Sequence, residues 1–283
     1  MAISTFIPTI WEARLLLHLD KNLVYGNLCN RDYEGDISQA GDTVKINQIA
    51  DITVNDYKKG TALTYEDVDG TPTTLTIDQQ KYAAFKVDDV DAAQANVNLV
   101  DAAMQRASYK LRDTVDQYIA GFHKKAGITT GLGSDTTPLV LDTADAAYEA
   151  LVDLKGALDD ANVPNEGRWV VVPSWFYGRM LKDNRFVSAG TTKTDTVLAN
   201  GYIGQAAGFN IYQSNNTPNT AGAKYKILAG TNMAISFAQQ LTKTEALRLE
   251  DSFSDAVRTL LVYGAQVVQP GALACLTANS TKA

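Results

Sequence analysis

The stretch TTLTIDQQKYAAFKV, Thr73 to Val87, decides the fold. Leu75, Ile77, Ala83, Phe85 and Val87 fall on one side of an extended chain, and Thr74, Thr76, Asp78 and Lys86 fall on the other. A period of two held this long marks a β-strand with one face covered. Upstream, Val44 and Ile46 also alternate with polar residues. The phase slips at Asn47-Gln48 and alternation resumes from Ile49 to Val54, which predicts a partner strand with a β-bulge. Between the two lies a polar tip, Tyr57 to Thr71, containing Lys58-Lys59-Gly60 and Glu66-Asp67. The result is a long two-stranded ribbon with no neighbouring stretch of sequence to extend it. An isolated hairpin is marginal in water, so the ribbon is expected to lean on something, in this chain or in another copy.

Working outward, the longest helical signal follows the ribbon. Val100, Met104, Ala107, Leu111, Val115, Tyr118 and Phe122 recur every three or four residues, with Asp101, Arg106, Lys110, Arg112, Asp113 and Asp116 largely between them. On the N-terminal side, Thr9 and Glu12 form a capping box. They predict a short helix from Ile10 to about Val24, with Leu16, Leu19 and Leu23 on one side, ending near Gly26.

After Gly121 the texture becomes mixed. The loop GITTGLGSDTTP leads to a helix capped by Asp142 or Thr143, with Tyr148, Leu151, Leu154 and Leu158 on one face. RWVVVP reads as a short buried strand, and Ser174 is expected to cap the brief helix WFYGRMLKD. The segments YKILAG, MAISFA and LTKTEALRLE read as strands. The closing AVRTLLVYGAQVVQPGALACL is apolar enough for a central strand, punctuated at Pro270-Gly271, and has to rejoin the long helix.

Composition bounds the function. The chain has 283 residues, 45% of them hydrophobic and 20% charged, with no low-complexity tract and no internal repeat. Its 25 basic against 32 acidic residues give a net charge of −7, with the basic residues scattered, unlike a protein whose main task is gripping nucleic acid. The only cysteines, Cys29 and Cys275, are far apart and suit free thiols. The start of the chain lacks the basic end and unbroken apolar run of a signal peptide, and no stretch is apolar for long enough to span a bilayer.

Catalytic patterns are missing. His18 and His123 stand in no metal-ligand spacing and suit a solvated surface, and Ser174 lies outside any nucleophile elbow. Asp88-Asp89, Asp159-Asp160 and Glu250-Asp251 are adjacent pairs better read as solvated charge. The stretch NGYIGQAAGFNIYQS, Asn200 to Ser214, carries Gly201, Gly204 and Gly208, but no lysine follows as in a P-loop. Its spacing is also wrong for a dinucleotide fingerprint, and a strand follows where that fingerprint needs a helix. Gly208 is instead expected to turn a short helical segment into the strand that starts at Phe209. The sequence therefore offers no catalytic, cofactor-binding or metal-binding residues and implies no cofactor.

With chemistry unsupported, the order of elements carries the reading. The ribbon and long helix (Thr43 to Phe122), the pair VPSWFYGRMLKDNRF and GYIGQAAGFNIYQSNN, and the closing SFSDAVRTLLVYGAQVVQPGAL together resemble the major capsid proteins of tailed bacteriophages of the Hong Kong 97 type. The resemblance implies an α+β capsid fold: an N-terminal arm (1–42), an extended loop (43–88), a spine helix of the peripheral domain (89–126), an axial domain (127–240), and C-terminal strands completing the peripheral domain (241–283).

It further implies a non-enzymatic shell subunit that forms pentamers and hexamers of an icosahedral or prolate head around double-stranded DNA. Such a subunit belongs to the virion, is assembled in the host cytoplasm and has no membrane. In that family the extended loop lies across a neighbouring subunit. On this basis the expected inter-subunit contacts are Ile46, Ile52, Tyr57, Lys58, Lys59, Tyr65, Leu75, Ile77 and Phe85 of the ribbon, with Trp11 and Leu16 of the arm. The expected partners are further copies, a separate scaffolding protein, a portal protein, a decoration protein, and packaged DNA through weak non-specific contact. Lys58 and Lys59 sit where some family members cross-link covalently, although lysines at a polar tip ordinarily serve solubility.

Two other readings remain at this point. An encapsulin-like cargo compartment shares the fold. A soluble α/β enzyme or ligand-binding domain with a site near Gly201 to Gly208 would be a monomer or small oligomer.

Overall fold

The computed structural model describes residues 23–34, 41–49, 53–60, 62, 65, 70–88, 99–183, 204–248 and 254–280. The ribbon is present as β1 (Thr43–Ile49) paired antiparallel with β2 (Gly70–Thr76). Its ladder runs from Thr43↔Thr76 to Ile49↔Gly70 without a shift, so the bulge expected at Asn47-Gln48 is absent. The slip lies in the side-chain pattern alone and leaves no mark on the backbone ladder.

The returning strand differs from the single one expected between Thr73 and Val87. It changes partners at Ile77-Asp78: β2 stays in the ribbon, whereas β3 (Gln79–Asp88) pairs antiparallel with β10 (Ser254–Val267) over its whole length. β10 pairs on its other side with β9 (Ile235–Arg248), giving a three-stranded sheet in the order β3-β10-β9. MAISFA and LTKTEALRLE thus belong largely to one strand. Thr242 is an extra residue between Leu241, opposite Leu261, and Lys243, opposite Leu260. This bulge reverses the alternation midway, which is why the sequence reads as two strands.

The long helix α1 spans Leu99–Ala120 and continues as a 3-10 turn through Lys125. Of the expected stripe, Met104, Leu111 and Val115 are at or below 5% exposure, while Ala107, Tyr118 and Phe122 are half-buried; Ile119, which the stripe did not include, is fully buried beside them. It meets the C-terminal strand through Tyr118, whose ring stands edge-on to Tyr263 at 5.4 Å between centroids. His123 is half-buried at the helix end, its Nδ1 3.0 Å from the Ala120 carbonyl, and is less solvated than expected. Burial lowers its pKa.

The second sheet holds six strands in the order β4 (Leu139–Val140), β11 (Leu273–Asn279), β8 (Tyr225–Gly230), β5 (Trp169–Val172), β7 (Phe209–Gln213) and β6 (Gln205–Ala206). The C-terminal strand β11 therefore lies inside the sheet built by residues 139–230, between β4 and β8. Helix α2 (Ala144–Asp160) is capped by Thr143, whose Oγ1 accepts from the Ala146 N–H at 3.2 Å. It buries Leu151, Leu154 and Leu158 completely.

Helix α3 (Ser174–Met180) begins after Pro173, which occupies the cap position. Ser174 is not the cap: its hydroxyl donates to Asn215 Oδ1 at 2.5 Å and accepts from Gln213 Nε2 at 2.9 Å. The main core joins this sheet, α2 and the inner face of α1. Of the expected first helix, residues up to 22 lie outside the described ones, and Leu23 and Val24 are not helical.

Candidate functional site: the assembly surfaces

The ribbon divides into a root and a tip with opposite character. At the root, Ile46, Leu75 and Ile77 pack with Ala238 and Val262 of the three-stranded sheet in a small separate core. Leu75 and Ile77 are at or below 1% exposure and Ile46 is at 7%. The sheet admits this crossing because residue 264 is glycine: a Cβ there would sit 2.2 Å from the Thr76 carbonyl oxygen and 2.9 Å from Ile77 Cα. The backbone hydrogen bonds Gly41 N–H to Ile77 O and Ile77 N–H to Asp42 O fasten the same joint. What the ribbon leans on at its base is thus its own chain.

Among the described residues of the tip no such support is present. Residues 53–60, 62 and 65 are exposed, with Val54, Tyr57 and Tyr65 at 95%, 73% and 87%. Large apolar side chains left exposed between β1 and β2 are the kind of surface that can serve a protein–protein contact. Lys58 and Lys59 stand on the same exposed segment. Of the contacts expected from the sequence, Tyr57, Lys58, Lys59 and Tyr65 are exposed. Ile46, Leu75 and Ile77 are covered within the chain, Phe85 is half-buried against the main core, and Ile52, Trp11 and Leu16 lie outside the described residues.

The N-terminal segment is tied to the spine by a side chain that sequence reasoning passed over. Asp116 of α1 is 1% exposed. Its Oδ2 accepts from Val24 N–H at 3.0 Å, and its Oδ1 from Tyr25 N–H at 3.1 Å and Gly26 N–H at 3.3 Å. Three successive backbone donors around one carboxylate satisfy a charge that burial would otherwise penalise. Burial still dominates and raises the Asp116 pKa, with the three N–H groups and Arg112 pulling the other way. The available signal was its position beside Val115 and three residues before Ile119, on the helix side that faces inward.

The glycine stretch resolves into a hairpin turn. Ala207 and Gly208 have φ of +49° and +81° between β6 and β7, so a two-residue turn links strand to strand where a helix-to-strand junction was expected. Gly208 is exposed, with the Lys155 side chain 3.7 Å from where its Cβ would be. Lys155 in turn bonds Asp159 at 2.5 Å, and Asp159 bonds Arg168 Nη1 at 2.7 Å. Arg168 is 2% exposed and also donates to the carbonyls of Val163 and Pro164. This network braces the loop between α2 and β5 and gives no sign of a phosphate cradle. Among the described residues no cluster could hold a metal ion, and no helix is long and apolar enough to cross a membrane.

A ribbon with a braced root and bare apolar tip, a spine helix, and two sheets joined by returning C-terminal strands describe a shell subunit, and comparison with known proteins agrees. The phage capsid protein family model matches residues 70–276. A solved structure from Mycobacterium phage Che8 is 33% identical over 90% of this chain and 91% of that one, with a TM-score of 0.73. The capsid structure of cyanophage P-SCSP1u shares the fold at 16% identity and TM-score 0.71, covering 92% of this chain and 89% of that one. The mature capsid of bacteriophage PhiM1 does so at 14% and 0.65, covering 92% and 88%. No curated protein sequence matches the chain. The chain belongs to the phage capsid protein family. It is a major capsid protein with the mixed helix-and-sheet fold of these phage capsid structures, and its place is the shell of the virion.

Proposed function

We infer that this chain closes a phage head by laying its ribbon tip on a neighbouring copy, in pentamers and hexamers that enclose double-stranded DNA. The observation that carries this reading is the contrast within the ribbon. The root is buried in the chain's own sheet, while Val54, Tyr57 and Tyr65 stand bare at the end of a hairpin too thin to be stable alone. A neighbour supplies the missing cover, and burying two tyrosines and a valine contributes about 1.5–3 kcal/mol each toward association. The role is mechanical and not enzymatic. The arm, extended loop, spine, axial and peripheral divisions serve it, with residues 43–76 forming the ribbon and residues 79–88 forming part of the peripheral sheet. Scaffolding, portal and decoration proteins are further partners of such a shell, assembled in the host cytoplasm.

The test is electron microscopy of the purified chain beside a Tyr57→Asp/Tyr65→Asp variant. The unmodified chain is expected to give shells or capsomer rings, and the variant folded subunits that do not close. Normal shells from the variant would remove the tip from the assembly mechanism. An encapsulin-like compartment is separated by its contents, protein cargo in place of DNA.

A further inference from the structure

Residues 23–34 touch several parts of the fold in turn. Leu23, Tyr25, Leu28 and Cys29 are buried in the main core, and the Asp116 carboxylate of α1 holds the N–H groups of Val24, Tyr25 and Gly26. The Tyr25 side chain, 1% exposed, lies beside Thr217 of the loop before β8. Asn30 then joins the edge of β9: its N–H donates to Ile235 O and its carbonyl accepts from Phe237 N–H, both at 2.8 Å. Glu34 Oε1 accepts from Gln239 N–H at 3.3 Å on the same edge. Tyr33 packs against the small core at the ribbon root, beside Val44 and Leu260. The segment is also stiffened from within. Asn27 Nδ2 donates to Leu23 O at 2.7 Å, Leu28 N–H to Tyr25 O at 3.1 Å, Asp32 N–H to Asn30 Oδ1 at 2.9 Å, and Arg31 Nε to Glu34 Oε1 at 2.9 Å. Turns closed by such local bonds leave the backbone little freedom, so a shift at one end is passed along and not absorbed.

We infer that residues 23–34 are a strap that couples α1 to the ribbon: the hold of Asp116 on one end sets how firmly Tyr33 helps to seat the ribbon root at the other. Proteins open locally in contiguous cooperative units, and the strap places residues 24–26 and the root in one such unit although they pack in different cores. The consequence for assembly rests on the reading of the ribbon tip as an inter-subunit contact. A strap in place presents the tip in one direction, which lowers the cost of ordering it when a neighbour covers it.

The experiment is hydrogen exchange read by mass spectrometry on the full chain, with every variant in the same assembly state. Asp116→Asn keeps the size of the side chain but puts a donor where one acceptor oxygen stood. Exchange is expected to rise at least about tenfold at residues 24–26, as for loss of a hydrogen bond to a charged group. At residues 43–46 and 73–77 it is expected to rise at least about twofold, the low end of coupling within one network. Coupling is reciprocal, so Tyr33→Ala, which leaves Asp116 intact, is expected to raise exchange at residues 24–26 as well. At the root the double variant falls short of the product of the two single effects. A rise confined to residues 24–26 in Asp116→Asn, or confined to the root in Tyr33→Ala, overturns the proposal. So does a double variant whose effects multiply, because the two ends are then independent. Asp159→Asn, placed elsewhere in the fold, leaves both segments unchanged; a rise there signals general loosening and also overturns it. Exchange is read on the subunit itself, so its outcome stands apart from shell formation, which tests the tip reading.

Discussion

Gly264 of β10 lies directly under Thr76 of β2: a Cβ on residue 264 would come within 2.2 Å of the Thr76 carbonyl oxygen. This approach lets the ribbon cross the three-stranded sheet and bury Leu75 and Ile77 on it. Gly264→Ala is therefore expected to lever the root off the sheet, at a cost on the order of 3 kcal/mol from overpacking against backbone that cannot give way. Thermal unfolding checks the loss, and hydrogen exchange at residues 70–77 locates it. Unchanged exchange there would show that the crossing does not depend on the missing Cβ.

Asp116→Ala leaves the N–H groups of Val24, Tyr25 and Gly26 without their acceptor in a buried site, a loss of about 2–3 kcal/mol. Exchange should rise at residues 24–26 more than anywhere else. The sign of the pH effect follows from the raised Asp116 pKa. The folded state holds this proton more tightly than the unfolded one, so the group's contribution is fully present below its ordinary value of 3.8 and is lost as pH rises through the raised value. Asp116→Asn removes that dependence, which melting curves from acid to neutral pH would reveal.

Asp159 behaves in the opposite sense. Lys155 and Arg168 hold its carboxyl below the usual carboxylate range. Its contribution is present above the ordinary value of 3.8 and is lost as pH falls through the lowered one. Asp159→Asn should lower the melting temperature at neutral pH and shrink the difference from the unmodified chain in acid. Arg168→Met, which keeps the apolar stem, should loosen the loop at residues 161–167 without unfolding β5. A pH-independent effect of Asp159→Asn would contradict the assignment.

Gly208→Val places a β-branched residue at a φ of +81°, a region such side chains avoid. Loss of the β6–β7 turn is expected with the rest of the sheet intact, detectable by exchange confined to residues 205–213.

How far the sequence discloses this structure depends on whether the partner of each segment leaves a trace in its pattern. Met104, Leu111 and Val115 announce the long helix, and Asp142 or Thr143 the start of α2, because stripe and cap are local. The hand-over at Ile77-Asp78 leaves no trace. Leu75, Ile77, Ala83 and Phe85 stay on one side of the strand while their partners change from β1 to β10, and an alternation that runs on in phase cannot show a change of neighbour. Thr242 errs the other way, since its bulge flips the phase and makes one strand look like two. Of the expected contact residues, Tyr57, Lys58, Lys59 and Tyr65 could be placed on the exposed tip from polarity alone. The internal burial of Leu75 and Ile77 depends on Gly264, nearly two hundred residues away in sequence.

The most direct measurement is electron microscopy with sedimentation of the Tyr57→Asp/Tyr65→Asp variant, supported by its melting curve. Both side chains are exposed and touch no core, so the melting temperature should stay within a degree or two of the unmodified chain. Closed shells should be replaced by free subunits or open capsomers. Closed shells of normal size from a variant of unchanged stability would contradict the claim that the ribbon tip joins one subunit to the next.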